Sequence, residues 1–237
     1  MLELINVTKK YKGTDAVNGV SFTVDAGQVL GLVGANGAGK STCVSMIATL
    51  KKPDSGEILF NGVNIVKDPD AIRSKLGYVP QDIALYEQLS GMDNLKFWGK
   101  SYGVDPDDLK DEIKRVCEII SFDESMLKKR VSNYSGGMKR RLNIGVALLH
   151  RPELVILDEP TTGIDIQSGM QILNAITELR KNGVAVIYVG HYMEEVEKIS
   201  THICYLENGV SKAFGTVDEV LKIRGAHSLT ELILAAQ

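Results

Sequence analysis

"GANGAGKST", residues 34–42, is the stretch that decides the fold. It matches the spacing G-x-x-x-x-G-K-[ST]. An apolar run, "VLGLV" at 29–33, precedes it, and a helical pattern begins near Gly39. A strand, a glycine-rich turn and a helix in that order form a loop suited to phosphate. Gly34, Gly37 and Gly39 let the backbone curl so that successive N–H groups point inward at phosphate oxygens. Asn36 and Ala38 complete that curl, and Lys40 brings a fixed charge to the outer phosphates. Ser41, with Thr42 beside it, offers a hydroxyl to Mg²⁺. The competing reading is a plain turn before a helix with an exposed lysine.

Upstream of the loop, "LELINVTKKY" and "GVSFTV" alternate like strands. Downstream, "GEILFNGVNI" reads as a hairpin, with Asn61-Gly62 supplying positive φ at the turn. A further strand ends at "LGYVPQD". From about Ser90 to Leu149 the spacing becomes helical, in "SGMDNLKFWGKSYG", "DPDDLKDEIKRVCEIISF" and "GGMKRRLNIGVALL", with Pro106 fitting a helix start. Short apolar strands then return, "ELVILD", "VAVIYVG" and "HICYLENG", between helices near Gln167–Asn182 and Tyr192–Ile199. Strands alternating with helices imply a mostly parallel sheet covered on both faces. The expected fold is α/β, with an antiparallel β portion at the N-terminal end and an inserted α-helical subdomain. The expected division is a core from 1–86 and 151–237, with the helical insert at 87–150, all one domain.

A length of 237 residues suits one sizeable core, and the net charge of -3 gives no reason to expect a nucleic-acid partner. Cys43, Cys117 and Cys204 are odd in number and widely spaced, neither a disulfide framework nor a zinc pattern. The opening "MLELINVTKKYKG" carries charges where a signal peptide would be apolar. No apolar run is long enough to span a bilayer, so any membrane role is expected to run through a partner.

Two further stretches carry chemistry. "LVILDEP", 154–160, is a buried strand ending in two carboxylates, where open α/β sheets place ligands. Asp158 there would hold Mg²⁺, partly through water, and Glu159 would orient or deprotonate an attacking water. "YSGGMKRR", 134–141, is a glycine-rich helix start followed by three cations, which reads as a second anion site.

Together these motifs resemble the nucleotide-binding subunit of an ATP-binding cassette (ABC) transporter, over nearly the whole chain. The resemblance implies a P-loop NTPase core and a Mg²⁺-dependent ATPase. It makes Ser135, Gly136 and Gly137 a signature that caps ATP in trans, on the phosphate loop of a second subunit. Tyr134 and Met138 depart from the commonest signature, L-S-G-G-Q. By the same resemblance Gln81 senses the γ-phosphate and shares the metal with Ser41 and Asp158. His191 contacts the γ-phosphate and positions Glu159, making Glu159, His191 and Lys40 the catalytic group. Asp165 lines the dimer interface, and Tyr11 stacks on adenine.

The implied partners are ATP, a transmembrane permease subunit and a second cassette, identical or not. The implied location is the cytoplasmic face of the membrane, and the implied direction is export. The alternative is a soluble cassette ATPase acting on ribosomes or DNA; the tandem cassettes or basic extensions usual there are not seen in this sequence. Leu85, Tyr86, Phe97 and Trp98 offer a docking surface for the permease or, equally, the core of the helical insert.

Overall fold

The computed structural model describes residues 1–235; the last two residues of the expected core segment, 236 and 237, lie outside the described residues. In chain order the elements are β1 (Leu2–Tyr11), β2 (Thr14–Val24), β3 (Val29–Val33), α1 (Lys40–Ile47), β4 (Ser55–Phe60), β5 (Val63–Asn64), α2 (Asp70–Arg73) and β6 (Leu76–Val79). The helical stretch follows as α3 (Gly91–Ser101), α4 (Leu109–Ile119) and α5 (Gly136–Leu148), with two short 3-10 turns at Glu124–Lys128 and Val131–Asn133. The chain continues as β7 (Leu154–Asp158), α6 (Ile166–Lys181), β8 (Ala185–Val189), α7 (Met193–Ile199), β9 (His202–Glu207), β10 (Val210–Thr216), α8 (Val217–Arg224) and α9 (Leu229–Leu234).

Two sheets divide these strands. The smaller, β2-β1-β4-β5, is antiparallel throughout. Its β4–β5 hairpin turns at Asn61 (φ 50°) and Gly62 (φ 80°), the turn read from the sequence. The larger sheet has the order β10-β9-β3-β8-β7-β6; all its pairs are parallel except β10 with β9.

Every residue of β3, β7 and β8 is buried, as expected of parallel strands covered on both faces. Side-chain alternation sorts them into two cores. Leu30, Leu32, Ile156 and Ile187 face the antiparallel sheet and α1. Val29, Val33, Val155, Leu157, Val186 and Tyr188 face the core shared with α5 and α6. Each such fully buried aliphatic side chain contributes about 1.5–3 kcal/mol, so the sheet is a stiff base for the loops at its ends.

Some expectations are corrected. Pro106 does not open α4: that helix starts at Leu109, and Pro106 sits in a turn where Asp105 Oδ1 accepts from the N–H of Asp107 at 2.9 Å. The φ that proline fixes suits such a turn as well as a first helical position. Beyond Glu207 the chain adds β10, α8 and α9, which the sequence reading left unassigned.

Candidate active site

Strands β3, β8, β7 and β6 lie side by side, and the carboxyl end of each delivers a group singled out above. β3 leads into the phosphate loop, β8 to His191, β7 to Asp158 and Glu159, and β6 to Gln81. The carboxyl edge of a parallel sheet is where such folds bind ligands.

Gly39 is the N-cap of α1 at φ 104°, with no side chain capping the helix, so its first N–H groups stay available. A Cβ on Gly34 would lie 2.2 Å from the carbonyl oxygen of Leu206, and one on Gly39 2.5 Å from that of Ala16. No larger residue fits at either place. Asn36, Gly37 and Ser41 are exposed, Thr42 is half-buried and Ala38 is buried beneath the loop. Lys40 is 8% exposed, and its Nζ donates to the carbonyls of Gly34 at 2.7 Å and Ala35 at 3.0 Å.

Charge in this corner is unbalanced. Burial pushes the pKa of Lys40 down, although Glu159 and Asp158 favour its charged form. Burial, and then the Glu159 charge, push Asp158 up, although Lys40 favours its ionised form. Both groups move towards neutrality, so burial outweighs their mutual attraction. A phosphate beside Lys40 and a cation beside Asp158 would each supply missing opposite charge. Among the described residues no cluster of three or more His, Cys, Asp or Glu could hold a metal. A cation here therefore depends on one carboxylate, a hydroxyl, an amide oxygen, water and phosphate, the donor set that suits Mg²⁺.

Glu159 sits at φ 51°, the left-handed region, which is unfavourable for a residue with a side chain and common at functional sites. Its N–H donates to the carbonyl of Val189 at 2.7 Å, tying the end of β7 to that of β8. Its carboxylate is held on both sides. Oε1 lies 2.6 Å from Nε2 of His191, and Oε2 accepts from Nε2 of Gln81 at 3.0 Å. Three residues far apart in sequence thus form one unit.

A partly buried network behind that unit escaped the sequence reading. Thr161 Oγ1 donates to Glu195 Oε2 at 2.7 Å, and the Tyr188 hydroxyl donates to the same oxygen at 3.1 Å. It fastens α7, just after His191, to the segment following Glu159. The one available signal was Tyr188, a hydroxyl in an otherwise apolar strand.

The second glycine-rich start is built differently. Ser135 caps α5, its Oγ accepting from the N–H of Met138 at 3.2 Å, and Ser135 and Gly136 are exposed. Gly137 is buried: a Cβ there would lie 2.0 Å from Ser168 Oγ. Asp165 is exposed and caps α6, Oδ1 accepting from the N–H of Ser168 at 2.9 Å. The three cations that follow are all engaged within the chain. Lys139 pairs with Glu87 at 2.7 Å, Arg140 donates to the carbonyl of Gln81 at 2.7 Å, and Arg141 donates to that of Ser121. All three partners lie within the chain, which relieves the unfavourable placing of cations at a helix start.

Tyr11, at the end of β1, is 41% exposed, with Lys9 Nζ 5.9 Å from its ring centre. Its pairing partner Thr14 lies two residues before Ala16, which abuts Gly39. The aromatic residues pack on one another and stay partly exposed. Tyr86 and Phe97 are exposed, yet they pack edge-on at 5.0 Å, and Phe97 packs on the half-buried Trp98 at 5.4 Å. No described helix is long and apolar enough to cross a membrane.

Residues 17–162 match the family model described as ABC transporter. The chain is similar to the linearmycin resistance ATP-binding protein LnrL of Bacillus subtilis, at 43% identity over 99% of this chain and 75% of that protein. It is similar to the Nod factor export ATP-binding protein I of Rhizobium meliloti, at 36% identity over 98% of this chain and 72% of that protein. Among solved structures it resembles the dimeric, post-hydrolysis state of the ATP-binding cassette MJ0796 bound to ADP and Pi. That match has a TM-score of 0.81 at 25% identity and covers 91% of this chain and 98% of the other.

Proposed function

From the premise that this chain belongs to the ABC transporter family, as an ATP-binding and ATP-hydrolysing subunit, we propose that two cassettes close head to tail around two ATP molecules and drive a transmembrane permease in the direction of export. The export direction is supported by the name of the Nod factor relative, and the cytoplasmic face of the membrane by the requirement for a permease.

One observation carries the arrangement. Ser135 and Gly136 are exposed, and the nearest neighbours of the two signature glycines are Ile164, Gly163, Ser168 and Asp165, none of them in the phosphate loop. Ser135 and Gly136 therefore face outward, as a cap for a neighbour's nucleotide must, while Gly137 packs the helix start against α6.

In the proposed reaction Lys40 and the loop N–H groups hold the phosphates, and Tyr11 stacks on the base. Mg²⁺, when bound, neutralises developing phosphate charge; Ser41, Asp158 and the free amide oxygen of Gln81 are the residues that would hold it. Glu159 accepts the proton of the attacking water, with His191 and Gln81 fixing its two oxygens. ATP bridges two chains and so binds the closed pair better than either monomer, which drives closure. Hydrolysis removes that bridge, and the helical insert at 87–150 moves with the signature against the core at 1–86 and 151–237. The exposed faces of Tyr86 and Phe97 serve as docking points for the permease.

The test uses Glu159→Gln. Turnover should fall by about 100- to 10,000-fold, the scale of a positioned general base, while ATP affinity stays near native. In ATP this variant should run as a dimer on size-exclusion chromatography, and in ADP as a monomer. Adding Ser135→Arg should abolish the dimer and spare ATP binding. A double variant that still dimerises in ATP refutes capping in trans.

A further inference from the structure

Arg140 is 7% exposed, an unusual setting for a guanidinium. Its Nη1 donates to two consecutive carbonyls, Pro80 at 3.2 Å and Gln81 at 2.7 Å. Its Nε finds no acceptor among the described residues. A buried cation with one donor idle is costly, and its compensation here lies in those two carbonyls and in the nearby charges of Asp82, Glu159 and Asp158. One turn along α5, buried Asn143 accepts from the N–H of Ala84 at 3.2 Å through Oδ1. Farther along the same loop, fully buried Asn94 of α3 takes both backbone groups of Tyr86, accepting from its N–H at 2.8 Å and donating to its carbonyl at 3.0 Å. The loop after β6 is thus held at three points by side chains of the helical insert. The first point is Gln81 itself, whose amide holds Glu159.

We propose that Arg140 is a positioning residue for hydrolysis: by gripping the backbone at Pro80 and Gln81 it sets the Gln81 amide against Glu159, and it fastens that contact to the helix that begins at the signature. Its side-chain hydrogen bonds go to the carbonyls of Pro80 and Gln81, so it acts through Gln81. The geometry has a consequence for a closed pair. Ser135 lies five residues before Arg140 on the same helix start, so a shift of that helix bears on the carbonyl of Gln81. Engagement of the signature with a partner's nucleotide is therefore sensed at the chain's own Glu159. The inference rests on the roles proposed above for Gln81 and Glu159.

The test is a double-mutant cycle on ATP hydrolysis by the full chain, with melting temperatures as the folding control. Gln81→Ala alone should lower kcat. Arg140→Met alone should lower kcat about tenfold, a coupling of ordinary size for groups in one hydrogen-bonded network, with KM changed less than about twofold. Arg140→Lys should recover most of that loss, because an ammonium can still donate to the two carbonyls. In a Gln81→Ala background, Arg140→Met should change kcat less than about twofold, since its route of action is already gone. A structural role alone would give the same loss in both backgrounds, and that result overturns the proposal, as does a native kcat in Arg140→Met. If Arg140→Met does not fold, Arg140→Gln in the same two backgrounds decides the matter. A native rate in Gln81→Ala would instead overturn the role of Gln81, and the Arg140 proposal with it.

Discussion

The starts of α1 and α5 are both rich in glycine, one followed by a single cation and the other by three, yet they are built for opposite situations. At α1 the cap is a glycine with no side chain to offer, Lys40 lies over the loop's own carbonyls, and Lys40 and Asp158 are both pushed towards neutrality. At α5 the cap is a serine that satisfies its own helix, and the following cations are spent on partners inside the chain. The first start is under electrostatic tension that a phosphate and a cation would relieve. The second has its cations on partners within the chain, although burial also lowers the pKa of Arg140 and Arg141 and leaves the Nε of each without an acceptor among the described residues. It exposes Ser135 and Gly136. A loop that binds substrate within its own chain can afford instability until substrate arrives. A surface that meets another chain must be stable while it waits.

The sharpest way to break this contrast is to remove the cation at each start. Lys40→Ala should weaken ATP binding about 10- to 100-fold, the equivalent of one lost charge-assisted hydrogen bond worth about 1.5–3 kcal/mol. Lys139→Ala removes only a partly exposed pair with Glu87, and exposed pairs contribute about 0–1 kcal/mol. Its ATP affinity should be native. Equilibrium binding by isothermal calorimetry separates the two. Equal losses would mean that both starts meet the same chain's nucleotide.

This contrast was only half legible in the sequence. The phosphate loop and the carboxylates after β7 declare themselves because local spacing and strand order carry their meaning, whereas His191 after β8 was singled out by the family resemblance. "MKRR" does not, because local spacing cannot say that the Gln81 carbonyl lies over Arg140 or that Glu87 reaches Lys139. Those are contacts across more than fifty residues, set by how α5 packs against β6. The Thr161, Tyr188 and Glu195 network spans shorter separations, 34 and 7 residues, but it too depends on how α7 packs back on the sheet. The C-terminal elements are a different case. Thr216 and Glu219 form a full capping box at the start of α8, a local signal that "TVDE" carries openly and the sequence reading passed over.

A smaller effect sharpens the comparison within the signature itself, where adjacent glycines have unlike surroundings. A Cβ on Gly137 would collide with Ser168 Oγ at 2.0 Å and Ser168 Cβ at 2.4 Å, while one on Gly136 would meet nothing nearer than Ile164 at 3.9 Å. Gly137→Ala should therefore cost about 1–3 kcal/mol of stability, the usual range for overpacking. Gly136→Ala should leave stability unchanged or raise it by up to about 1 kcal/mol through better helix propensity. Denaturant titrations measure both. If the two variants melt alike, the α5–α6 approach is looser than its geometry and both glycines answer only to the nucleotide across the interface.

The smallest effect probes the tension at the first start directly, through Asp158→Asn. The carboxyl pKa of Asp158 is raised in the fold, first by burial and then by the Glu159 charge. A raised carboxylate favours the folded state fully only below the unfolded pKa, about 3.9, and that contribution is lost as pH rises through the folded value. At neutral pH the native protein without nucleotide therefore carries a buried negative charge that it would hold more easily as the neutral acid. Asparagine has nearly the same shape and no charge, so Asp158→Asn should stabilise the nucleotide-free protein by on the order of 1 kcal/mol, the scale of an uncompensated buried polar group. The gain should shrink as pH falls through the raised pKa, where the native group becomes neutral too. Melting curves of both proteins from pH 4 to pH 8 without nucleotide give the comparison, and hydrolysis with Mg²⁺ gives its counterpart, which should be lost. A variant that is less stable at neutral pH, or whose advantage grows towards acid, would mean that attraction to Lys40 outweighs burial. The start of α1 would then need neither phosphate nor cation to balance its charge.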